Sequence, residues 1–384
     1  MMRISWKMLV VGIVLVSAGC ERDPTSSHVM GQPGMASLLA SAGSGPVLLE
    51  TLVEWDPSAP PSTYGQGCAA GVNNEGLLAG TIDIGNGGTN AVIWDRSERI
   101  IALEGGTGGY AQALTINDRG GVLIRNNEVD MHLDDRAFMG FFRIPNRTIR
   151  LGFPTVWTNN RGDQMGNYLR ALEDEDRPNL PVHYIGIQYA TSTQFQELMA
   201  PLDPARRQPG MSRTPRAECE AEALDDLGRV YGKCSVNRKD IKYRWTPTGT
   251  PVRIGSAETG MDFAIDDVNR YGEIIGTTSA GAPVYWSAAT GKIEIPPPPG
   301  ISGLKPVAIN DRGTVLLSPF YLWGEPQMGP AIAYWTRNAG TVVIDKGSWL
   351  YAGANDLNNS GVIAGCVGNS GESWPALWRI DQRP

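Results

Sequence analysis

Ile116-Asn117-Asp118-Arg119-Gly120 and Ile309-Asn310-Asp311-Arg312-Gly313 spell one pentapeptide, INDRG, twice in the chain at a distance of 193 residues. Aligning every stretch that resembles it and runs on into aliphatic residues raises the two copies to seven. These are VNNEGLLAG from 72, INDRGGVLI from 116, TNNRGDQMG from 158, LDDLGRVYG from 224, VNRYGEIIG from 268, INDRGTVLL from 309 and LNNSGVIAG from 357. The constant residue is the glycine. Gly76, Gly120, Gly162, Gly228, Gly272, Gly313 and Gly361 follow one another at intervals of 44, 42, 66, 44, 41 and 48 residues. In each motif an Asn or Asp leads, able to bond nearby backbone amides. Three residues later comes glycine, where a type I turn with a following bulge needs positive φ. The motif therefore reads as a hairpin turn whose glycine the fold requires, with Asn, Asp and Arg as turn chemistry on one rim. A calcium loop has a spaced Asp ladder and a distal Glu, which these segments lack, so no metal is assigned to them.

A second mark recurs in five repeats: Trp94, Trp245, Trp286, Trp335 and Trp378. Four of them precede the next motif glycine by 26 or 27 residues. Between Trp and glycine lie a polar turn and a short apolar run, as in Glu98–Leu103, Pro251–Ile254, Lys292–Ile295 and Thr341–Ile344. A repeat of about 42 residues thus holds four strands: one before the glycine turn, one after it, one ending at Trp and one beyond. That is the size of a β-propeller blade. The expected fold is all-β: a seven-bladed β-propeller of four-stranded antiparallel blades. Trp378 is followed by six residues, too few for a fourth strand. Counting 26 back from Gly76 reaches Glu50, inside the apolar stretch 47–55, so an N-terminal strand is expected to complete the last blade and close the ring. The tryptophans read as packing between blades, one per blade at a fixed strand position.

The stretch Ala91 to Leu123, AVIWDRSERIIALEGGTGGYAQALTINDRGGVL, resembles the HAF-type extracellular repeat. That repeat runs His-Ala-Phe-Leu-Trp, a turn, an aliphatic strand, Gly-Gly and Ala-x-x-Ile-Asn-x-x-Gly. The likeness covers about residues 47–384 and implies an exported, propeller-type repeat protein of no known activity. Asn90 stands where the repeat has His, so nothing that rests on that histidine carries over.

The first twenty residues, MMRISWKMLVVGIVLVSAGC, place Arg3 and Lys7 before an apolar run, Met8 to Val16, too short to span a bilayer. Small residues and Cys20 follow. The segment is similar to a bacterial lipoprotein signal, with Ser17 where Leu is commonest. The resemblance implies a signal peptide over 1–19, cleavage before Cys20, lipidation of Cys20 with palmitate-like chains, and anchorage in the lipid bilayer. Glu21 instead of Asp favours the outer membrane. Residues 20–46 read as the lipidated cysteine and a flexible tether reaching roughly 25 to 30 Å. Residues 47–384 read as one propeller domain.

The net charge of −7 arises from interspersed acidic and basic residues, so nucleic acid is not an expected partner. Gly and Pro, 47 and 27 residues, suit many short strands joined by turns. Four cysteines besides Cys20 suggest two disulfides in an exported protein. Cys219 and Cys234 flank the fourth turn: a tight two-residue loop would oppose them directly, whereas a glycine bulge would shift them to opposite faces. Cys68 and Cys366 lie in the first and last repeats and become neighbours if the ring closes. His28, His132 and His183 are scattered, without metal-ligand or triad spacing. The Ser-x-x-Lys spacing at 302–305 lacks partner motifs. No catalytic residue, cofactor or metal is assigned. The long interval between Gly162 and Gly228 holds 172–181 and 202–216, expected as charged, Pro-rich loops that could carry binding specificity. The expected function is a membrane-anchored, non-catalytic binding scaffold for an envelope or extracellular protein or glycan. The alternative is a propeller hydrolase or lyase working on carbohydrate or peptide at the central channel.

Overall fold

The computed structural model describes residues 45–51, 66–85, 88–104, 111–126, 140–144, 147–150, 157–174, 177–192, 194–207, 215–319, 331–369 and 372–380. The signal segment, Cys20 and the tether up to residue 44 lie outside these residues. Six sheets are each built from four consecutive antiparallel strands. The first is Gly67–Val72, Leu78–Gly85, Gly88–Trp94 and Ile100–Glu104. The second is Ala111–Ile116, Val122–Asn126, Gly140–Ile144 and Arg147–Arg150. The third is Trp157–Thr158, Gln164–Asp174, Arg177–Gln188 and Phe195–Glu197. The fourth is Glu218–Leu224, Val230–Val236, Lys239–Trp245 and Pro251–Ser256. The fifth is Phe263–Val268, Ile274–Thr278, Pro283–Ser287 and Gly291–Glu294. The sixth is Leu304–Ile309, Val315–Pro319, Ile332–Thr336 and Gly340–Ile344.

A further sheet is composite. Tyr351–Leu357, Val362–Asn369 and Glu372–Arg379 supply three strands, and Val47–Leu48 lies beside the last of them, Val47 opposite Leu377 and Leu48 opposite Ala376. The last repeat thus contributes three strands of its own, and residues that precede the first repeat contribute the fourth. The first strands of neighbouring sheets pack beside one another, which places them innermost.

All seven motif glycines have φ between 71° and 85°, and each closes its turn by donating its N–H to the carbonyl of the leading Asn or Asp. The tryptophans sit on third strands; Trp94, Trp245, Trp335 and Trp378 are buried, Trp286 partly so. Three of them donate Nε1–H to the preceding sheet just past its outer strand: Trp94 to Glu50 O at 2.7 Å, Trp245 to Met199 O at 2.9 Å and Trp378 to Asp345 O at 3.0 Å. A large apolar ring with one polar edge can fill the gap between blades and still satisfy its donor.

The inner strands of six sheets carry a β-bulge three residues before the turn. In the fourth sheet the bulged residue is Glu222. The glycine bulge of the turn and the strand bulge cancel, so Cys219 and Cys234 lie opposite each other and are joined, with Cα atoms 4.1 Å apart. A second disulfide joins Cys68 to Cys366, at a Cα separation of 4.8 Å. Residues 172–181, expected to be a loop, instead run through two long strands, Gln164–Asp174 and Arg177–Gln188, whose pairing extends from Gln164↔Gln188 to Asp174↔Arg177. Within 202–216 the described residues hold a short 3-10 turn at Pro204–Arg206 and an isolated bridge from Leu202 to Arg216.

Candidate functional site

The seven turns meet at one end of the innermost strands and bond to one another there. Their leading residues, Asn73, Asn117, Asn159, Asp225, Asn269, Asn310 and Asn358, are all buried. In six of them Oδ1 accepts the N–H groups two and four residues ahead, as Asn310 does from Arg312 N at 3.0 Å and Thr314 N at 3.1 Å. The amide nitrogen reaches across to the next repeat. Nδ2 of Asn73 donates to Asn117 O at 2.9 Å, that of Asn159 to Asp225 O at 2.7 Å, that of Asn269 to Asn310 O at 3.0 Å and that of Asn310 to Asn358 O at 3.1 Å. Asn358 Nδ2 donates to Asn73 O at 2.9 Å, joining the last turn to the first. The leading Asn is therefore an inter-repeat clasp as well as a turn former. One side chain cannot be replaced by its nearest isostere without losing one of the two roles.

The second turn residues form another tier. Asn74 holds Asp118 by its backbone N at 2.7 Å and its Nδ2 at 3.0 Å. Asn160 grips Asp226 in the same way, at 2.9 and 3.0 Å. Asp311 receives Arg270 N at 3.2 Å, Arg270 Nε at 3.1 Å and Asn359 Nδ2 at 2.8 Å. Asn359 N donates to Asn74 Oδ1 at 2.9 Å. Two junctions use other links: Asp118 N donates to Asn160 O, and Arg229 Nη2 to Arg270 O, because Asp225 has no amide donor. The Nδ2 of Asn117 has no partner among the described residues.

Two carboxylates lie just inside the turns. Asp267 accepts Val268 N and, from the sixth sheet, Ile309 N, both at 2.8 Å. Asp356 accepts Leu357 N at 2.8 Å and, from the first sheet, Val72 N at 2.9 Å. Burial pushes the Asp267 carboxyl up to about 7 and the Asp356 carboxyl up to about 6, against the downward pull of their two N–H donors. Burial likewise raises Asp226, and Asp311 and Asp118 push it further in the same direction. Acidic groups from several repeats therefore sense one another at the turn end. Among the described residues, no three His, Cys, Asp or Glu side chains are grouped to hold a metal ion.

On the second strands, the residue five after the motif glycine makes another link, to the inner strand of the next sheet. Thr81 Oγ1 accepts Ala113 N at 3.2 Å, Asn167 Oδ1 accepts Ala221 N at 2.8 Å, and Ser318 Oγ accepts Ala354 N at 2.9 Å. At the same place in the last repeat stands Cys366, bonded to Cys68. In the sixth sheet the donor position on the inner strand is Pro306, which has no N–H to give. This regularity was visible as four small polar or sulfur residues at a fixed offset from glycine, a signal the turn-centred reading passed over.

Of the sequence-assigned residues, the seven glycines gather at the turn end and Cys68, Cys366, Cys219 and Cys234 pair as described. Cys20, His28 and His132 lie outside the described residues, as does the side chain of His183. The Ser302–Lys305 stretch leads into the inner strand of the sixth sheet, and Gly303 within it has a φ of 78°.

The fold defines the class: a β-propeller of four-stranded antiparallel blades. No family profile matches the chain, and no curated protein is similar to it. Solved structures with a similar strand arrangement include virginiamycin B lyase from Staphylococcus aureus, at a TM-score of 0.48 and 11% identity over 86% of this chain and 98% of that one. A streptogramin B lyase matches at 0.47 and 13%, over 84% and 95% of the two chains. The β-propeller domain of Cps50 (Swd1) from Myceliophteria thermophila matches at 0.44 and 11%, over 83% and 98%.

Proposed function

We propose that this chain is an HAF-like, lipid-anchored envelope protein whose propeller is a non-catalytic binding scaffold. In this reading the composite sheet is the seventh blade, and Val47–Leu48 closes the ring. The observation that carries the scaffold reading is the engagement of the acidic groups at the turn end. Asp118, Asp226 and Asp311 are each held by amide or guanidinium donors from a neighbouring turn, and Asp267 and Asp356 each bind two backbone N–H groups. A general acid or base must exchange protons with a substrate, and these oxygens are spent on joining blades. The raised carboxyls of Asp267 and Asp356 are what a channel enzyme would use, so they define the test of the alternative. Variants Asp267→Asn and Asp356→Asn are expected to leave any activity on envelope glycans or peptides unchanged; a loss with the fold intact would favour the enzyme.

The anchor rests on Arg3, Lys7, the apolar run to Val16 and Cys20. A Cys20→Ala variant should leave the membrane fraction, and one that stayed would refute lipidation. Capture from envelope extract by the full chain, with and without the hairpin tip 172–181 and the connection 202–216, should recover a partner that depends on one of them. A partner retained in both deletions would move the binding face elsewhere.

A further inference from the structure

A cavity of about 340 Å³ opens at the turn end between the composite sheet and the first sheet. Its apolar lining is Leu78, Val362 and Leu377; the two leucines are buried and Val362 keeps part of its surface open. Two arginines line it: Arg96, from the turn between the third and outer strands of the first sheet, and Arg379, from the end of the last strand. Each is steadied by one carboxylate. Arg96 Nη2 meets Glu75 Oε2 at 2.8 Å and its Nε binds Glu75 O, while Arg379 Nη2 meets Glu98 Oε1 at 2.8 Å. These contacts leave Nη1 of Arg96, and Nε and Nη1 of Arg379, without a bond among the described residues.

Glu98 itself is out of the ordinary. It has φ 60°, the left-handed region, at the turn position where the fourth sheet has Gly249 with φ 78°. Glycine would be the unstrained choice there. Backbone strain of this kind is retained where a side chain is needed at a fixed point, and here it sets a carboxylate against Arg379.

We infer that this cavity is a socket for a carboxylate carried on an apolar body, such as the free C-terminus of a peptide ending in an aliphatic residue. The carboxylate would take the unengaged N–H groups of Arg96 and Arg379, whose planar forks suit it. The aliphatic side chain would rest against the open part of Val362. This inference rests on the binding-scaffold reading and names the chemistry of one binding place.

The test uses the full-length protein in detergent and titration calorimetry with N-acetyl-leucyl-leucine, the same dipeptide as its C-terminal amide, and hexanoate. The free acid should bind at least tenfold more tightly than the amide. Arg96→Gln and Arg379→Gln should each weaken it at least tenfold with unchanged thermal unfolding, and Arg379→Lys should restore part of the loss. Hexanoate binding as tightly as the dipeptide acid would identify a free apolar acid as the ligand source; weaker binding would identify a peptide end. Arg96 is exposed, so its variant keeps the test valid should Arg379→Gln fail to fold. Equal binding of acid and amide, no binding of any probe, or indifference to Arg96→Gln would overturn the socket. An envelope partner retained by the Arg96→Gln variant alongside such a result would leave the scaffold reading standing.

Discussion

Asn358 and Asn117 occupy the same turn position and differ in their amide donor: Nδ2 of Asn358 reaches Asn73 O, and Nδ2 of Asn117 reaches nothing among the described residues. Substituting Asp at either place keeps the acceptor that shapes the turn and removes the amide donor. Asn358→Asp should therefore cost about 1 kcal/mol more than Asn117→Asp in urea unfolding, the net worth of one buried hydrogen bond. Equal costs would mean the clasp adds nothing beyond the turn. The raised carboxyls of Asp267 and Asp356 make a second prediction. Their folded values, about 7 and about 6, exceed the ordinary 3.8, so the folded state binds protons more readily than the unfolded chain. The stability they contribute is fully present below about pH 4 and is lost as pH rises through 6 to 7. The double variant Asp267→Asn and Asp356→Asn should flatten the stability profile between pH 4 and 7. The change should be on the order of 1–2 kcal/mol, allowing for partial solvent contact. An unchanged slope would mean other carboxylates set it.

At the scale of the element, Gly232 faces the inner strand where Glu222 bulges, and a β-carbon there would lie 2.1 Å from Glu220 O. Gly232→Ala must push the two strands apart. The expected cost is about 2–3 kcal/mol, with free thiols appearing at Cys219 and Cys234 in a thiol titration. Full retention of the disulfide would show that the bulge is not held by this close approach. The same hairpin shows where sequence reading stops. The glycine turn was legible because its conformation is demanded by two residues three apart, the leading Asn or Asp and the glycine. The compensating bulge was not, because Glu222 carries no local mark and its extra residue is set by how the strand meets its neighbour. The tryptophan spacing fixed the third strand correctly, yet its hydrogen bond to a carbonyl in the preceding sheet needed the packed sheets. Residues 172–181 were misread as a loop because their charge masked their pairing. Asp267, Asp356 and strained Glu98 escaped for a related reason: each matters through a partner some 40 to almost 300 residues away.

Across the whole molecule, two disulfides with different reach allow a comparison. Cys219–Cys234 spans 15 residues and Cys68–Cys366 spans 298. Chain entropy gives about 3 kcal/mol for the short loop and more than about 4.7 for the long one. Thermal unfolding should therefore be lowered more by replacing Cys68 and Cys366 with Ser than by the same change at Cys219 and Cys234. The reverse order would place the weight of stability within the fourth sheet and not at the junction of first and last repeats.

The pairing of Val47 with Leu377 also has a meaning in time. A chain that leaves its ribosome or an export channel N-terminus first presents Val47 and Leu48 hundreds of residues before the strand they must join. Until Glu372–Arg379 emerges, that sheet has no outer strand and Trp94 has no settled carbonyl at Glu50 to receive its N–H. Contacts this far apart in sequence form slowly. The architecture thus leaves this sheet incomplete until Glu372–Arg379 has been made, however early Val47 and Leu48 are available.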